Sequence, residues 1–398
     1  MGSTGELLQK LQEGRGDEAL RGLYALDGSD ASLEKGRERA VRVVRAFEAE
    51  FGARPEAALF SGPGRTEIGG NHTDHQHGRV LCGSVDLDML ACAAPNGTDL
   101  VRIQSEGYPA LEVDLRDLKV REEEKNSSPA LVRGVAARLA ELGCRPAGFD
   151  AYVTSTVLSG SGLSSSAAYE ILVATIIDCF FGGGTLDPVE RAKVGQYAEN
   201  VYFGKPCGLM DQMGSSVGGA VAIDFADPAA PVVKKVEYDF TRSGHALCIV
   251  DTGSCHADLT DDYADITREM GAVAAHFGKK FLRDVDEGAF RAALPQLRQE
   301  CGDRAVLRTM HFFEEDCRAE QEAQALEQGD FAAFLALVDQ SGLSSALNLQ
   351  NTWSAAAPQQ QAIPVALAVG RELLGGSGAI RVHGGGFAGT IQAFVPNE

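Results

Sequence analysis

Two domains built from both helices and strands are what this 398-residue sequence predicts. Length is the first ground for that expectation, since a single hydrophobic core rarely extends over so long a chain. Composition is the second: 44% of the residues are hydrophobic, enough for sizeable cores. The third is pattern, because segments with apolar residues at helical spacing are interspersed with short strand-like runs along the whole chain.

Charge narrows the function. Lys and Arg number 36 against 56 Asp and Glu, a net −20, which argues against nucleic acid or an anionic membrane surface as partner. Any phosphorylated ligand must therefore meet a local positive site. Nine cysteines (Cys82, Cys92, Cys144, Cys179, Cys207, Cys248, Cys255, Cys301, Cys317) form no CxxC pair and lie mostly in apolar runs. They read as reduced, buried residues of a cytoplasmic protein, not as a disulfide or zinc framework. The opening MGSTGELLQKLQEGRG has no apolar signal core, and no run approaches the roughly 18 apolar residues of a membrane span. A soluble, cytoplasmic protein is expected.

The first fifty residues read as helical. Ala31–Phe51 spaces Val41, Val44, Phe47 and Phe51 on one helical face with charges on the other. Ala57–Ser61 reads as a short strand. The following segment, SGPGRTEIGGNHTDHQHGRV, reads as a loop between strands, with hydrogen-bonding capacity at Arg65, Glu67, Asn71, His72, Asp74, His75 and His77 beyond what a connector needs. Val80–Ala94 is a long buried strand, with further strands near Val101–Gln104 and Leu111–Val113. A surface loop over Arg121–Ser128 precedes a helix over Pro129–Gly143.

Phe149–Val157 is a strand that runs into GSGLSSSAA, Gly160–Ala168, and then into a helix whose apolar body extends from Ala167 to Cys179. Gly160 and Gly162 permit positive φ and close backbone approach. Ser164, Ser165 and Ser166 fall where the helix begins, so unpaired N–H groups and the helix dipole suit the loop to phosphate. A serine and glycine turn that merely caps the helix is the alternative. The loop is neither a P-loop, lacking the Lys of G-x-x-x-x-G-K, nor G-x-G-x-x-G.

Farther on, QYAENVYFGKPCGLMDQMGSSVGG places Glu199 on a helix that starts near Asp187, and Asp211 beyond a break at Pro206–Gly208. Each acid could be an ordinary surface carboxylate, or the break could turn both into one cleft. Ala220–Phe225 and Ala246–Asp251 are strands, with a surface turn over Ala226–Pro231. Helices fill Asp261–Gln340, the longest over Asp303–Gln328, where His311 reads as a core hydrogen-bonding residue. RVHGGGFAGT, Arg381–Thr390, lies between strands Gly378–Val382 and Ile391–Val395.

GSGLSSSAA resembles the phosphate-binding loop of the GHMP small-molecule kinases. The segment from Arg65 resembles the galactokinase signature GR-x-N-x-I-G-E-H-x-D-Y, which Arg65, Gly70, His72 and Asp74 match. AEN and PCGLMDQ resemble that family too, and RVHGGGFAGT resembles the third GHMP motif, with Ala388 for a common Gly. The signature is not copied in full: Glu67 stands for Asn, Gly69 for Ile, Asn71 for the sugar-binding acid, and His75 for Tyr.

This resemblance implies an α+β, two-domain GHMP kinase fold with the active site in the inter-domain cleft. The domains are expected over residues 1–242, carrying the sugar signature and the phosphate loop, and 243–398. The implied activity is ATP-dependent phosphorylation of the anomeric hydroxyl of galactose, with ATP and Mg²⁺ as cofactors, a small sugar as partner, and no nucleic acid or membrane. Asp211 and Arg65 would be catalytic. Asn71, His72, Asp74, Gly208 and Tyr263 would bind the sugar, although a zinc reading of the histidine cluster and a packing role for Tyr263 are the alternatives. Gly160, Ser161, Gly162, Leu163, Ser164, Ser165, Ser166 and Ala167 would hold ATP, with Ser166 and Glu199 on the metal. Two other activities are weighed: galacturonate 1-kinase, since Asn71 removes a negative charge, and a non-catalytic galactose and ATP sensor.

Overall fold

The computed structural model describes residues 1–26, 28–157, 162–254 and 259–397. They form two compact units that interleave in sequence: Met1–Arg65, Ser84–Ser159 and Leu163–Gly218 make the first, and Thr66–Gly83, Gly160–Gly162 and Gly219–Glu398 the second. The linear boundary expected at residue 243 falls inside the second unit. Two long strands, β1 (Ala58–Gly69) and β2 (Arg79–Pro95), pass from one unit into the other, so no single cut in the chain separates them.

The first unit opens with helices α1 (Thr4–Gln12), α2 (Asp17–Tyr24) and α3 (Asp30–Phe51). A capping box between Ser3 and Glu6 starts α1, and the Ser29 side chain caps α3. In α3 the buried residues Leu33, Gly36, Ala40, Val43, Val44 and Phe47 recur every three or four positions, the apolar stripe of a helix on a core. Val41 and Phe51, expected on that stripe, are only partly buried beside it. Strands β3 (Leu100–Ser105) and β4 (Leu111–Asp114) pair antiparallel, and β5 (Phe149–Ser155) lies parallel to β3 and antiparallel to Met89–Pro95 of β2.

The pleat of β2 sorts its side chains. Leu90, Cys92 and Ala94 pack with Val43, Val44 and Phe47 of α3. Ala91 and Ala93, on the opposite face, pack with Val132 and Val135 of α4 (Ser128–Glu141) and Leu172 and Val173 of α5 (Ser165–Ile177). A one-residue slip would exchange the two faces, so the register is fixed by burial on both. Helices α6 (Pro188–Tyr197) and α7 (Met210–Val217) complete the unit. The run Ser165–Gly182, with mean hydropathy 1.3 over 18 residues, is long and apolar enough by composition to cross a membrane, contrary to the expectation that no run comes near that length. Ile171, Leu172, Val173, Ile176 and Ile177 spend that apolar surface on the core of this unit.

In the second unit β6 (Ala220–Asp224) pairs antiparallel with Arg79–Gly83 of β2, and β7 (Val232–Val236), a strand the sequence reading missed, pairs with β6. Then follow β8 (His245–Asp251), α8 (Thr260–His276), α9 (Glu287–Ala292), α10 (Leu294–Glu300), α11 (Asp303–Glu327), α12 (Phe331–Ser344), α13 (Ala362–Leu374), β9 (Ala379–Val382) and β10 (Thr390–Pro396). The last three strands form an antiparallel sheet in the order β8-β10-β9. Phe334 of α12 meets Phe394 of β10 edge to face, with ring centroids 5.2 Å apart. His311 of α11 is fully buried between the Ser344 hydroxyl at 2.8 Å and the Asn71 carbonyl at 2.9 Å, as a core histidine should be.

Eight cysteines lie among the described residues, and none of them forms a disulfide. Only Cys82 and Cys92 are buried and Cys317 is exposed, so the expectation of a mostly buried set is corrected.

Candidate active site

In the first unit, α5 begins at Ser165 after Ser164 has taken left-handed backbone angles, φ 53° and ψ 68°. A residue other than glycine enters that region only where its surroundings hold it there. The Ser164 hydroxyl donates to Asp211 and does not cap α5, which has no side-chain cap. A 13-residue helix thus opens with its N–H donors and positive dipole end available to an anion. Leu163 and Ala167 are buried, and the Leu163 carbonyl accepts from the Arg65 backbone N–H at 3.1 Å, fixing the loop against β1. Gly160 and Ser161, assigned to the same loop, lie outside the described residues. Gly162 is described, at φ +75°.

Asp211, in the first turn of α7, receives the Arg65 guanidinium at 2.6 Å (Nη2 to Oδ1) and 2.8 Å (Nε to Oδ1). Arg65 is nearly buried, while Asp211 keeps 30% of its side chain exposed. Burial pushes the Asp211 carboxyl up, but the Arg65 charge and the Ser164 and Arg65 hydrogen bonds outweigh it and hold the group below the usual carboxylate range. Gly208 is partly buried on the irregular segment just before α7.

Glu199 occupies a π-helical turn, Ala198–Phe203, that continues α6; such turns are frequent at functional sites. Its buried carboxylate accepts from the Ser166 hydroxyl at 3.2 Å, Gln212 at 2.9 Å and Lys205 at 3.4 Å. Gln212 also reaches Glu170 at 3.0 Å, bridging two carboxyl groups with one amide. Burial, with Glu199 close by, pushes Glu170 well above the carboxylate range, and its Oε1 is buried without a partner. Ser166 and Glu199 present adjoining oxygens, a donor set that suits Mg²⁺, which commonly takes one or two protein oxygens and fills its octahedron with phosphates and water. Among the described residues no group of three or more His, Cys, Asp or Glu is arranged to hold a metal.

In the second unit the sugar signature departs from expectation. It is not a loop as far as Gly69, because β1 continues that far; only Gly70–Gly78 turns. Asn71 is fully buried and its amide is spent on protein: it donates to Glu67 Oε1 and the Gly384 carbonyl, both at 2.8 Å, and accepts from Asn351 at 2.9 Å and Ser345 at 3.2 Å. The assignment of Asn71 to a sugar hydroxyl is therefore corrected, since four internal bonds saturate a primary amide. His72 Nε2 bonds the Gly385 carbonyl at 2.9 Å, and Tyr263 donates to the Gly386 carbonyl at 2.9 Å. Burial, with His75 beside it, holds the His72 imidazole down at about 4. Asp74 is half-buried and accepts from the His75 N–H at 2.9 Å.

Sequence reasoning missed the residues behind this segment. Arg381, fully buried, bonds Glu67 at 2.8 Å and the Ile68 carbonyl. Glu315 accepts from Arg318, from Ser341 at 2.5 Å and from the Gly70 N–H at 3.1 Å; His311 and the arginines hold it at about 2 against its burial. Glu322 is fully buried with neither oxygen bonded, and burial together with Glu315 raises it well above the usual range. A Cβ on Gly69 would stand 1.7 Å from Glu322 Oε2, so Glu322 fills the volume that a side chain at position 69 would need. Of these, only the departures at Glu67 and Gly69 were visible in the sequence as a signal.

Comparison with known proteins assigns the family. A model described as the galactokinase galactose-binding signature matches residues 45–95, and one for the GHMP kinase N-terminal domain matches 130–219. A galactokinase of Streptomyces coelicolor is 32% identical over 349 residues, covering 88% of this chain and 87% of that protein. The crystal structure of Lactococcus lactis galactokinase complexed with galactose superimposes with a TM-score of 0.74 at 23% identity, over 88% of this chain and 89% of that one. Methanococcus jannaschii mevalonate kinase follows with 0.60 at 15% identity, over 86% and 92%. These two structures establish the GHMP kinase fold, a mixed α+β architecture. The arginine, carboxylate and serine loop of the first unit thus sit in a sugar kinase, and the chain belongs to the galactokinase family.

Proposed function

We propose that this chain transfers the γ-phosphoryl group of ATP to the anomeric hydroxyl of galactose, giving galactose 1-phosphate and ADP. The observation that carries the reading is the Arg65–Asp211 contact at 2.6 Å with Ser164 on the same carboxylate. Asp211, ionised across the neutral range, accepts the anomeric proton. Arg65 keeps it ionised and offers positive charge to the equatorial oxygens of the transferring group. The α5 N-terminus, with Ser165 and Ser166, receives the phosphates, and Lys205 adds a cation beside Glu199. Ser166 and Glu199 would hold Mg²⁺, which when bound neutralises charge on the phosphate oxygens. The named galactokinase relative supports the sugar, and use of ATP fits a cytoplasmic location.

The case for galacturonate rested on a missing negative charge at position 71 facing the substrate. Asn71 is buried, and the carboxylate lies 2.8 Å away on Glu67, so acid and amide are both present with their positions exchanged relative to the resembled signature. The sensor reading is disfavoured by the intact Arg65–Asp211 pair. ADP release measured over a panel containing galactose, galacturonate, glucose and N-acetylgalactosamine tests the assignment. Galactose should give the highest kcat/KM; a preference for another sugar, or no turnover, overturns it.

A further inference from the structure

Glu199 has two carboxylate oxygens, and its neighbours sort them. Oε1 lies with the Ser166 hydroxyl at 3.2 Å and the Lys205 ammonium at 3.4 Å, whereas Oε2 accepts from the Gln212 amide at 2.9 Å, the shortest of these contacts. The same amide nitrogen donates to Glu170 Oε2 at 3.0 Å. A primary amide has two hydrogens to give, so both are spent on acids, and the reverse orientation would set the amide oxygen against the Glu199 carboxylate. Glu170, Glu199 and Gln212 are all buried, which leaves no solvent to take over if the amide is lost. Packing holds the bridge as well. A Cβ on Gly195 of α6 would stand 3.0 Å from Glu170 Oε2 and 3.1 Å from Gln212 Cγ, so the bare glycine makes room for both side chains.

We infer that Gln212 is a positioning residue for magnesium: it holds Oε2 of Glu199 and so leaves Oε1, beside Ser166, for the cation. Gln212 touches neither substrate nor metal in this assignment and acts through Glu199. Its place in the chain gives it a second reach. It directly follows Asp211 in the first turn of α7, so the helix with the proposed proton acceptor is bonded through one side chain to the π-helical turn with the metal carboxylate. Glu170 fixes the other side of the amide from α5, the helix whose first turn carries Ser166. Partners that hydrogen-bond a metal's ligands govern roughly 10–100-fold in metal affinity, and Gln212 is placed to be such a partner.

This inference rests on the magnesium assignment in the proposed function, and the experiment keeps the two apart. Gln212→Met removes the amide at similar volume. Gln212→Asn, a second variant should the first not fold, stays polar but is one methylene too short to reach both acids. Mn²⁺ binding is followed by electron paramagnetic resonance with a non-hydrolysable ATP analogue and no sugar, so the readout needs no turnover. Each variant should bind Mn²⁺ at least about tenfold more weakly than the parent protein, the low end of that range. Calorimetric affinity for galactose and for the metal-free analogue should be unmoved. In turnover the magnesium concentration at half-maximal rate should rise, and saturating magnesium should restore most of kcat. A smaller loss of Mn²⁺ affinity overturns the inference, and so does a loss of galactose affinity as large as that of the metal, which marks a general packing role. If the parent protein binds Mn²⁺ with the analogue but phosphorylates no sugar, the function falls and the variants still decide Gln212. If it binds no Mn²⁺, the magnesium assignment and this inference fall together.

Discussion

Replacing Asp211 by Asn removes a charge and almost no volume, which makes it the sharpest probe of the phosphoryl-transfer reading. In the parent protein the carboxylate faces the Arg65 guanidinium at 2.6 Å and takes the Ser164 hydroxyl as well. The amide oxygen can still accept from Arg65, so the fold should lose only about 1–2 kcal/mol, the scale of a weakened hydrogen bond to a charged group. Catalysis should lose far more. A positioned acid–base group supplies roughly 10²–10⁴ in rate, or about 2.7–5.4 kcal/mol at 1.36 kcal/mol per decade. The two effects separate cleanly in single-turnover ADP formation at saturating galactose and Mg·ATP, read beside a melting curve. Galactose affinity by calorimetry should change little. In the parent enzyme the acid limb of kcat should lie below about pH 4, because the folded pKa is depressed. For the same reason the pair's contribution to stability persists above the unfolded value and is lost only as pH falls through the folded one. Turnover within about tenfold of the parent, with an unshifted melting point, would refute the assigned role.

Ser166→Ala should raise the Mg·ATP concentration needed for half-maximal rate several times more than Ser165→Ala, since only the Ser166 hydroxyl is seen on Glu199; equal effects in a magnesium titration would assign the loop to backbone donors alone. Glu322→Gln tests the unbonded buried carboxyl of α11. A folded pKa raised above the unfolded one means that its contribution to stability is full below about pH 4.5 and is lost as pH rises toward the folded value, so the variant's melting point should gain on the parent as pH is raised from 4.5 toward neutrality. Parallel melting curves across that range would count against a raised Glu322.

The Arg65–Asp211 pair, proposed as catalytic, stood out in the sequence because its residues sit in dense local motifs: Arg65 beside glycines, and Asp211 in PCGLMDQ. Strand and helix order in the first unit was legible for a similar reason, since β2 and α5 carry their apolar residues in uninterrupted runs. The continuation of β1 through Gly62, Pro63 and Gly64 was not. Those residues disfavour a strand locally, and pairing with β2 overrides them. A five-residue strand, β7, with two lysines among its valines gave too short a pattern to read. Asn71 was misread for a different reason. Its partners Ser345, Asn351 and Gly384 lie 274 to 313 residues away, and nothing in the local segment distinguishes an amide facing a ligand from one facing another part of its own chain. Glu322 and Gly69 show the same limit: a missing side chain at one position is matched by a carboxyl far along the sequence.

The interleaving of the two units sets an order of events during synthesis. All residues of the first unit have been translated by Gly218, whereas the second has its opening segment, Thr66–Gly83, and waits for Gly219 onward. At about 5–20 residues per second the ribosome needs roughly ten to forty seconds to deliver the rest. Until α11 and α12 are made Ile68 and Leu81 lack their covering residues, and the Asn71 amide waits longer still, for the glycine loop. A nascent chain of this protein therefore carries an apolar, strand-forming segment beside a finished half. That segment is where a chaperone would hold it and where self-association would begin if release came early.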